Sequence, residues 1–200
     1  MKASMRHTRR KPSSGFTLIE VLVVLIIIGV LFAISAPSWT ALMNRQRVTA
    51  VREQAVLVIR EAQNKARITR IPHAVVFDND NGAIAPRAAI VSRSINPATG
   101  EILNFPITTL TSINNWKTLV EGEVKAGSID FSTAPLAASN QLLFDSNGAI
   151  EQASIDKGLP FVVKVKPKGA SSQTYKCVLV PTLLGSVRLT DGEKDTTDCK

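Results

Sequence analysis

Hydrophobic and polar positions follow three rhythms along this chain, and each rhythm predicts a different element. Residues 16–36 read FTLIEVLVVLIIIGVLFAISA, an apolar run carrying one charge, Glu20. Its 21 residues would rise about 31 Å as a helix, close to the hydrocarbon thickness of a bilayer. The run therefore predicts a membrane-spanning helix. Val and Ile weaken helices in water, but lipid offers the backbone no competing partner. Gly29 and Pro37 are its weak points. Pro37 lacks an amide donor and clashes one turn back, which predicts a kink or local melting.

Past Pro37 the period changes. Trp39, Leu42, Met43, Val48, Val51, Ala55, Ile59, Ala62 and Ala66 recur at three- and four-residue steps, with charges on much of the opposite face. Val56 and Val58 widen the stripe. This predicts an amphipathic helix over 38–69, ended by Arg70-Ile71-Pro72. Its alanines permit a close approach to a sheet.

From residue 71 the chain breaks into short β-prone runs: 73–78, 83–91, 101–106, 128–132, 141–145, 149–153, 160–166, 174–180 and 184–190. Asp80-Asn81-Gly82 and Ser146-Asn147-Gly148 predict hairpin turns, since Asn-Gly readily supplies positive φ. Residues 92–127 are the least organised, an extra hairpin or loop with Trp116 as its anchor. The class is α+β, with a long helix covering one face of antiparallel sheets. The organisation is a leader at 1–15, an apolar helix at 16–36, an amphipathic helix at 37–70 and a β-rich body at 71–200.

Composition changes this picture in one respect. The formal charge is +8, but residues 1–15 hold five basic side chains (Lys2, Arg6, Arg9, Arg10, Lys11) and no acid. Without them the 24 Lys and Arg fall to 19 against 16 acids, leaving +3. The remaining excess lies mainly in the helix, where Arg45, Arg47 and Arg52 read as a solvated or subunit-facing surface. The case for nucleic acid from net charge weakens accordingly. Aromatic residues are only 5%, so the core should be mainly aliphatic.

A basic leader before an apolar run suggests a secretory signal. Three details argue otherwise: no small-x-small site precedes a polar mature start, Glu20 stands inside the run, and helical sequence continues beyond it. Positive-inside bias keeps the leader cytoplasmic. A carboxylate within an apolar helix costs several kcal/mol unless it lies near the interface or meets a cation. Glu20 is thus either an acid tolerated at the membrane edge or half of an ion pair.

Gly15-Phe16-Thr17-Leu18-Ile19-Glu20, after a short basic leader and before the Val/Leu/Ile run, closely resembles the class III signal of type IV pilins and type II secretion pseudopilins. That resemblance implies cutting between Gly15 and Phe16 by a prepilin peptidase and N-methylation of Phe16. Gly15 has no side chain to obstruct the protease. The resemblance also implies pairing of Glu20 with the Phe16 amine of an adjacent subunit, and it includes Pro37. Residues 57–78 and Leu143-Phe144-Asp145-Ser146-Asn147-Gly148 resemble the helix-to-strand passage and the hairpin of GspH/FimT-type minor pilins. A pilin-like α+β fold is implied. So is a structural role, in or priming a type IV pilus or type II secretion pseudopilus. The implied partners are other pilin or pseudopilin subunits and an inner-membrane assembly platform. The implied location is the bacterial inner membrane, single-pass, with a periplasmic body that later enters the filament.

The remaining candidates are few. Cys177 and Cys199, in a domain that leaves the cytoplasm, favour one disulfide, with two free thiols as the alternative. Some minor pilins of this kind bind incoming DNA for natural transformation through a Gly-Arg-x-Arg-like element. The counterpart here is Gly185-Ser186-Val187-Arg188, with serine in place of the first arginine and Asp191, Glu193, Asp195 and Asp198 after it. Lys164, Lys166 and Lys168 alternate along a strand and, with Arg188, are the candidate nucleic-acid contacts. DNA is the alternative partner, and neutralising phosphates is what it would require. His73 reads as structural. Asp78, Asp80 and Asn81 read as turn residues rather than a calcium loop. No zinc spacing, phosphate cradle or nucleophile elbow occurs, so no enzyme, metal or cofactor is expected.

Overall fold

The computed structural model describes residues 15–93, 113–120, 122, 124–134, 140–151, 159–168, 175–192 and 199; side chains at 35–38, 40, 41 and 81 lie outside the description. The chain forms two compact units, Met1–Leu42 and Met43–Lys200. One helix, α1 (Leu18–Thr69), supplies residues to both.

In the first unit, α1 starts after Thr17, and the helical backbone runs without interruption through Gly29 and Pro37. The expected local melting at Pro37 is not found. Proline removes one donor, while the flanking residues keep helical geometry.

In the second unit the period of the sequence decides which face is buried. Val48, Val51, Ala55, Ile59, Ala62 and Ala66 are all buried, at three- and four-residue steps. Trp39 and Leu42, assigned to the same stripe, are exposed and belong to the first unit. The helix ends where Arg70-Ile71-Pro72 predicts. Arg70 takes a left-handed conformation, φ 58°, the usual way a helix is closed.

Among the described residues eight strands follow: β1 (His73–Asp78), β2 (Arg87–Ser92), β3 (Lys117–Thr118), β4 (Ile129–Ala134), β5 (Gln141–Phe144), β6 (Phe161–Pro167), β7 (Lys176–Val180) and β8 (Arg188–Asp191). They form two four-stranded antiparallel sheets, ordered β3-β2-β1-β5 and β4-β6-β7-β8. The α+β class is as the sequence indicates. One hydrophobic core joins the helix to both sheets. It is mainly aliphatic, but its largest fully buried side chains are Phe77, Phe144 and Phe161. Phe77 meets Phe131 and Phe161 of the second sheet at 5.7 and 6.3 Å between ring centroids. These three rings pack where the two sheets meet.

Several strand limits differ from expectation. β2 begins at Arg87 rather than residue 83, because Asp80–Gly82 forms a 3-10 turn and not a tight hairpin. The Asp80 amide donates to Asp78 Oδ1, and positive φ falls on Asp80 and Gly82. Of the predicted strand 149–153, the described residues 149–151 make a single bridge, Ile150 to Phe144, and 152–153 lie outside the described residues. At the adjacent turn, positive φ falls on Gly148, not Asn147, and the Asp145 carboxylate accepts from the Asn147 and Ala149 amides. β8 begins at Arg188 rather than 184, since Thr182, Leu183, Leu184 and Gly185 form a turn. The predicted strand 101–106 lies outside the described residues. Most of 92–127 lies outside the described residues; Trp116 has the Arg87 guanidinium 4.4 Å from its ring centroid, and β3 begins just after it.

Cys177 and Cys199 are joined, with Cα atoms 6.1 Å apart. Both are buried with Val162 and Leu179 against Ala134 and Tyr175, on the face of the second sheet away from the main core. Closing a loop of this size restricts the unfolded chain and contributes about 2–4 kcal/mol. The double change Cys177→Ser, Cys199→Ser is expected to lower the melting temperature and make it insensitive to reductant. An oxidised protein whose melting already ignores reductant would contradict this.

Candidate functional site

The candidate site at the N-terminus is built by the start of α1. Gly15, Phe16 and Thr17 precede the helix. The Thr17 hydroxyl accepts from the Glu20 amide at 3.3 Å, and the Thr17 carbonyl accepts from the Glu20 and Val21 amides. Threonine at the cap with glutamate three residues on is the capping-box pattern, which satisfies amides that a helix start leaves unpaired. Sequence reasoning missed Thr17, although Thr17-Leu18-Ile19-Glu20 carries that signal. Glu20 adds favourable charge to the first turn. It is also the only charged residue from 15 to 44.

Every large apolar side chain from Phe16 to Ile34 is between 46% and 84% exposed. A helix apolar on all sides needs apolar surroundings. Among the described residues no helix is long and apolar enough to cross a membrane. Side chains in this run are described only to Ile34, and the 17 helical positions from 18 to 34 rise about 25 Å, short of the roughly 30 Å of hydrocarbon. A Cβ on Gly15 would meet nothing within 4 Å, so nothing among the described residues calls for glycine there.

The residues singled out for nucleic acid lie elsewhere. Lys164, Lys166 and Arg188 share the disulfide-bearing face of the second sheet, and Lys168 follows β6. In the ladder Lys164 is opposite Cys177, and Arg188 is opposite Leu179. Lys166 stands 3.4 Å from Asp130 and 5.1 Å from the centroid of the Tyr175 ring. Tyr175, and then Asp130, hold its ammonium above the ordinary lysine range. Arg188 is exposed, while the Ser186 hydroxyl is 2.7 Å from that of Thr182. Asp191 accepts from Arg52 at 3.0 Å and Lys176 at 2.6 Å, a carboxylate shared by helix and sheet. Glu193, Asp195 and Asp198 lie outside the described residues.

Gly185 has a packing role. Its φ is +72°, and an added Cβ would lie 2.7 Å from Gln63 Nε2 and 2.9 Å from Phe144. Gln63 is buried in the helix and donates to the carbonyls of Gly148 and Leu184, both at 2.8 Å. One side chain thereby ties two turns to α1. No pattern in the sequence marks Gln63, because its partners are backbone atoms 85 and 121 positions away.

His73 is buried, with Nδ1 2.7 Å from the Ile71 carbonyl. Asp78 is taken up by Arg87, whose Nε and Nη2 donate to Oδ2 at 2.9 and 2.6 Å. Among the described residues no group of three or more His, Cys, Asp or Glu could hold a metal ion.

Residues 10–36 match the prokaryotic N-terminal methylation motif. Two solved structures are similar in arrangement. The minor pseudopilin EpsH of the Vibrio cholerae type 2 secretion system is 16% identical, with a TM-score of 0.41, over 73% of this chain and 94% of that one. The type IV minor pilin FimU of Pseudomonas aeruginosa is 13% identical, with a TM-score of 0.46, over 72% of this chain and 89% of that one. No curated protein matches this sequence.

Proposed function

We propose that this chain is the precursor of a structural minor pilin or pseudopilin. It would be cut after Gly15 by a prepilin peptidase, methylated at Phe16, and held in the inner membrane by the helix that follows. From there it would enter or prime a type IV pilus or a type II secretion pseudopilus. The observation that carries this reading is the methylation motif over 10–36, with Gly15 and Phe16 ahead of a capped helix start whose only charge before residue 45 is Glu20. An apolar helix exposed on all sides is what a lipid environment, and later the packed helices of a filament, would cover. The five leader cations favour a cytoplasmic leader and a periplasmic body. Glu20 would pair with the Phe16 amine of a neighbouring subunit and so set the register of assembly. The second unit would serve as the body of the subunit, and within it Gln63, Arg52 and the core tie the helical residues after Met43 to the sheets and turns.

Intact and peptide mass spectrometry of the protein from its native membrane tests this directly. The expected N-terminus is N-methyl-Phe16. A chain still beginning at Met1 in assembly-competent cells would overturn the reading.

A further inference from the structure

Six described cations of the second unit are held by acids. Arg52, Lys65, Arg87, Arg93, Lys166 and Lys176 each stand 2.6–3.4 Å from a carboxylate. Arg45 and Arg47 do not. Arg45 is exposed, and the one side-chain bond of Arg47 is to Asn44 Oδ1 at 3.3 Å. These are the first two cations after the apolar run, nine and eleven positions past Ala36. The stretch between, 37–44, holds Trp39 and no charge, a composition suited to the boundary between bilayer and water.

We propose that Arg45 and Arg47 bind the phosphates of anionic phospholipids at the membrane surface, a site that rests on the membrane reading above. Nine residues of helix rise about 14 Å, so these long side chains would reach back toward the bilayer, as Lys and Arg do near helix ends, to bring their charge to the phosphates. A guanidinium suits this partner, because its planar fork matches phosphate oxygens and it remains charged at every relevant pH. Among the described residues neither Arg45 nor Arg47 has a carboxylate within 4 Å, as is also true of Arg60 and Arg188, so binding would break no described ion pair of the unit.

The test uses the full-length chain in nanodiscs of phosphatidylcholine mixed with phosphatidylglycerol, released and weighed with its retained lipids by native mass spectrometry. The wild type is expected to retain phosphatidylglycerol selectively. The pair Arg45→Gln, Arg47→Gln should lose roughly thirty-fold of that selectivity, about fivefold for each cation. Arg60→Gln with Arg188→Gln, the same change in net charge elsewhere, should leave it intact. Undiminished selectivity in the first pair, or an equal loss in the second, overturns the site. Retained selectivity combined with weaker capture of neighbouring subunits assigns the arginines to a protein partner and also overturns it. A chain recovered outside the nanodiscs overturns the membrane reading itself, and the lipid site with it.

Discussion

Glu20→Ala is expected to leave the precursor cut after Gly15 and methylated at Phe16, yet nearly absent from filaments. The proposed junction, Gly15 and Phe16, stands ahead of the helix, so a protease reading it has no need of a carboxylate in the first helical turn. Assembly is different. In the proposed contact, removing one partner of a buried ion pair leaves the other charge without compensation, at a cost of about 3–5 kcal/mol. That would reduce incorporation by more than about a hundredfold.

Glu20→Gln separates two causes. Glutamine serves a capping box as glutamate does, so the Thr17 cap and the helix start would persist while the charge is lost. Failure of both variants in mixed-subunit filaments assigns the defect to charge. Normal incorporation of Glu20→Gln would reduce Glu20 to a helix-capping residue and withdraw its role in register.

Gly185→Ala should destabilise the folded body strongly for a single added methyl group. Alanine at φ +72° is strained by about 1–2 kcal/mol. Its Cβ would also press on Gln63 and Phe144, and overpacking of this kind costs about 1–3 kcal/mol more. A destabilisation of about 3 kcal/mol should lower the melting temperature of a body this size by roughly 6–12 °C. Gln63 cannot move aside freely, since its amide is committed to Gly148 and Leu184. Gln63→Ala provides the check: it removes the obstruction as well as the two hydrogen bonds, so the pair of changes should be less harmful than their sum. Wild-type melting of Gly185→Ala would refute the account. The prediction also separates two readings of Gly185-Ser186-Val187-Arg188, because a glycine kept for packing says nothing about nucleic acid.

The apolar run, the capping signal at Thr17 and Glu20, the helix limit at Arg70-Ile71-Pro72 and the α+β class are set by the sequence alone. Each depends on residues within a few positions of one another, where helical period, side-chain caps and proline sterics act directly. Most strand cores were legible for the same reason, from β-branched runs such as Phe161-Val162-Val163. Strand ends were not. Whether residues 83–86 pair, or 149–153 extend, depends on turn geometry at Gly82 and Gly148 and on which neighbouring strand is available.

Tertiary structure alone decided which distant groups meet. It gave the buried Gln63 its two carbonyls, and Asp191 its two cations. It also joined Cys177 to Cys199, where sequence had left free thiols open. The physical reason is that these partners are chosen by burial and by the antiparallel register of the sheets. A side chain sealed in the core must satisfy its polar atoms with whatever backbone the fold brings there, and no local pattern encodes that choice.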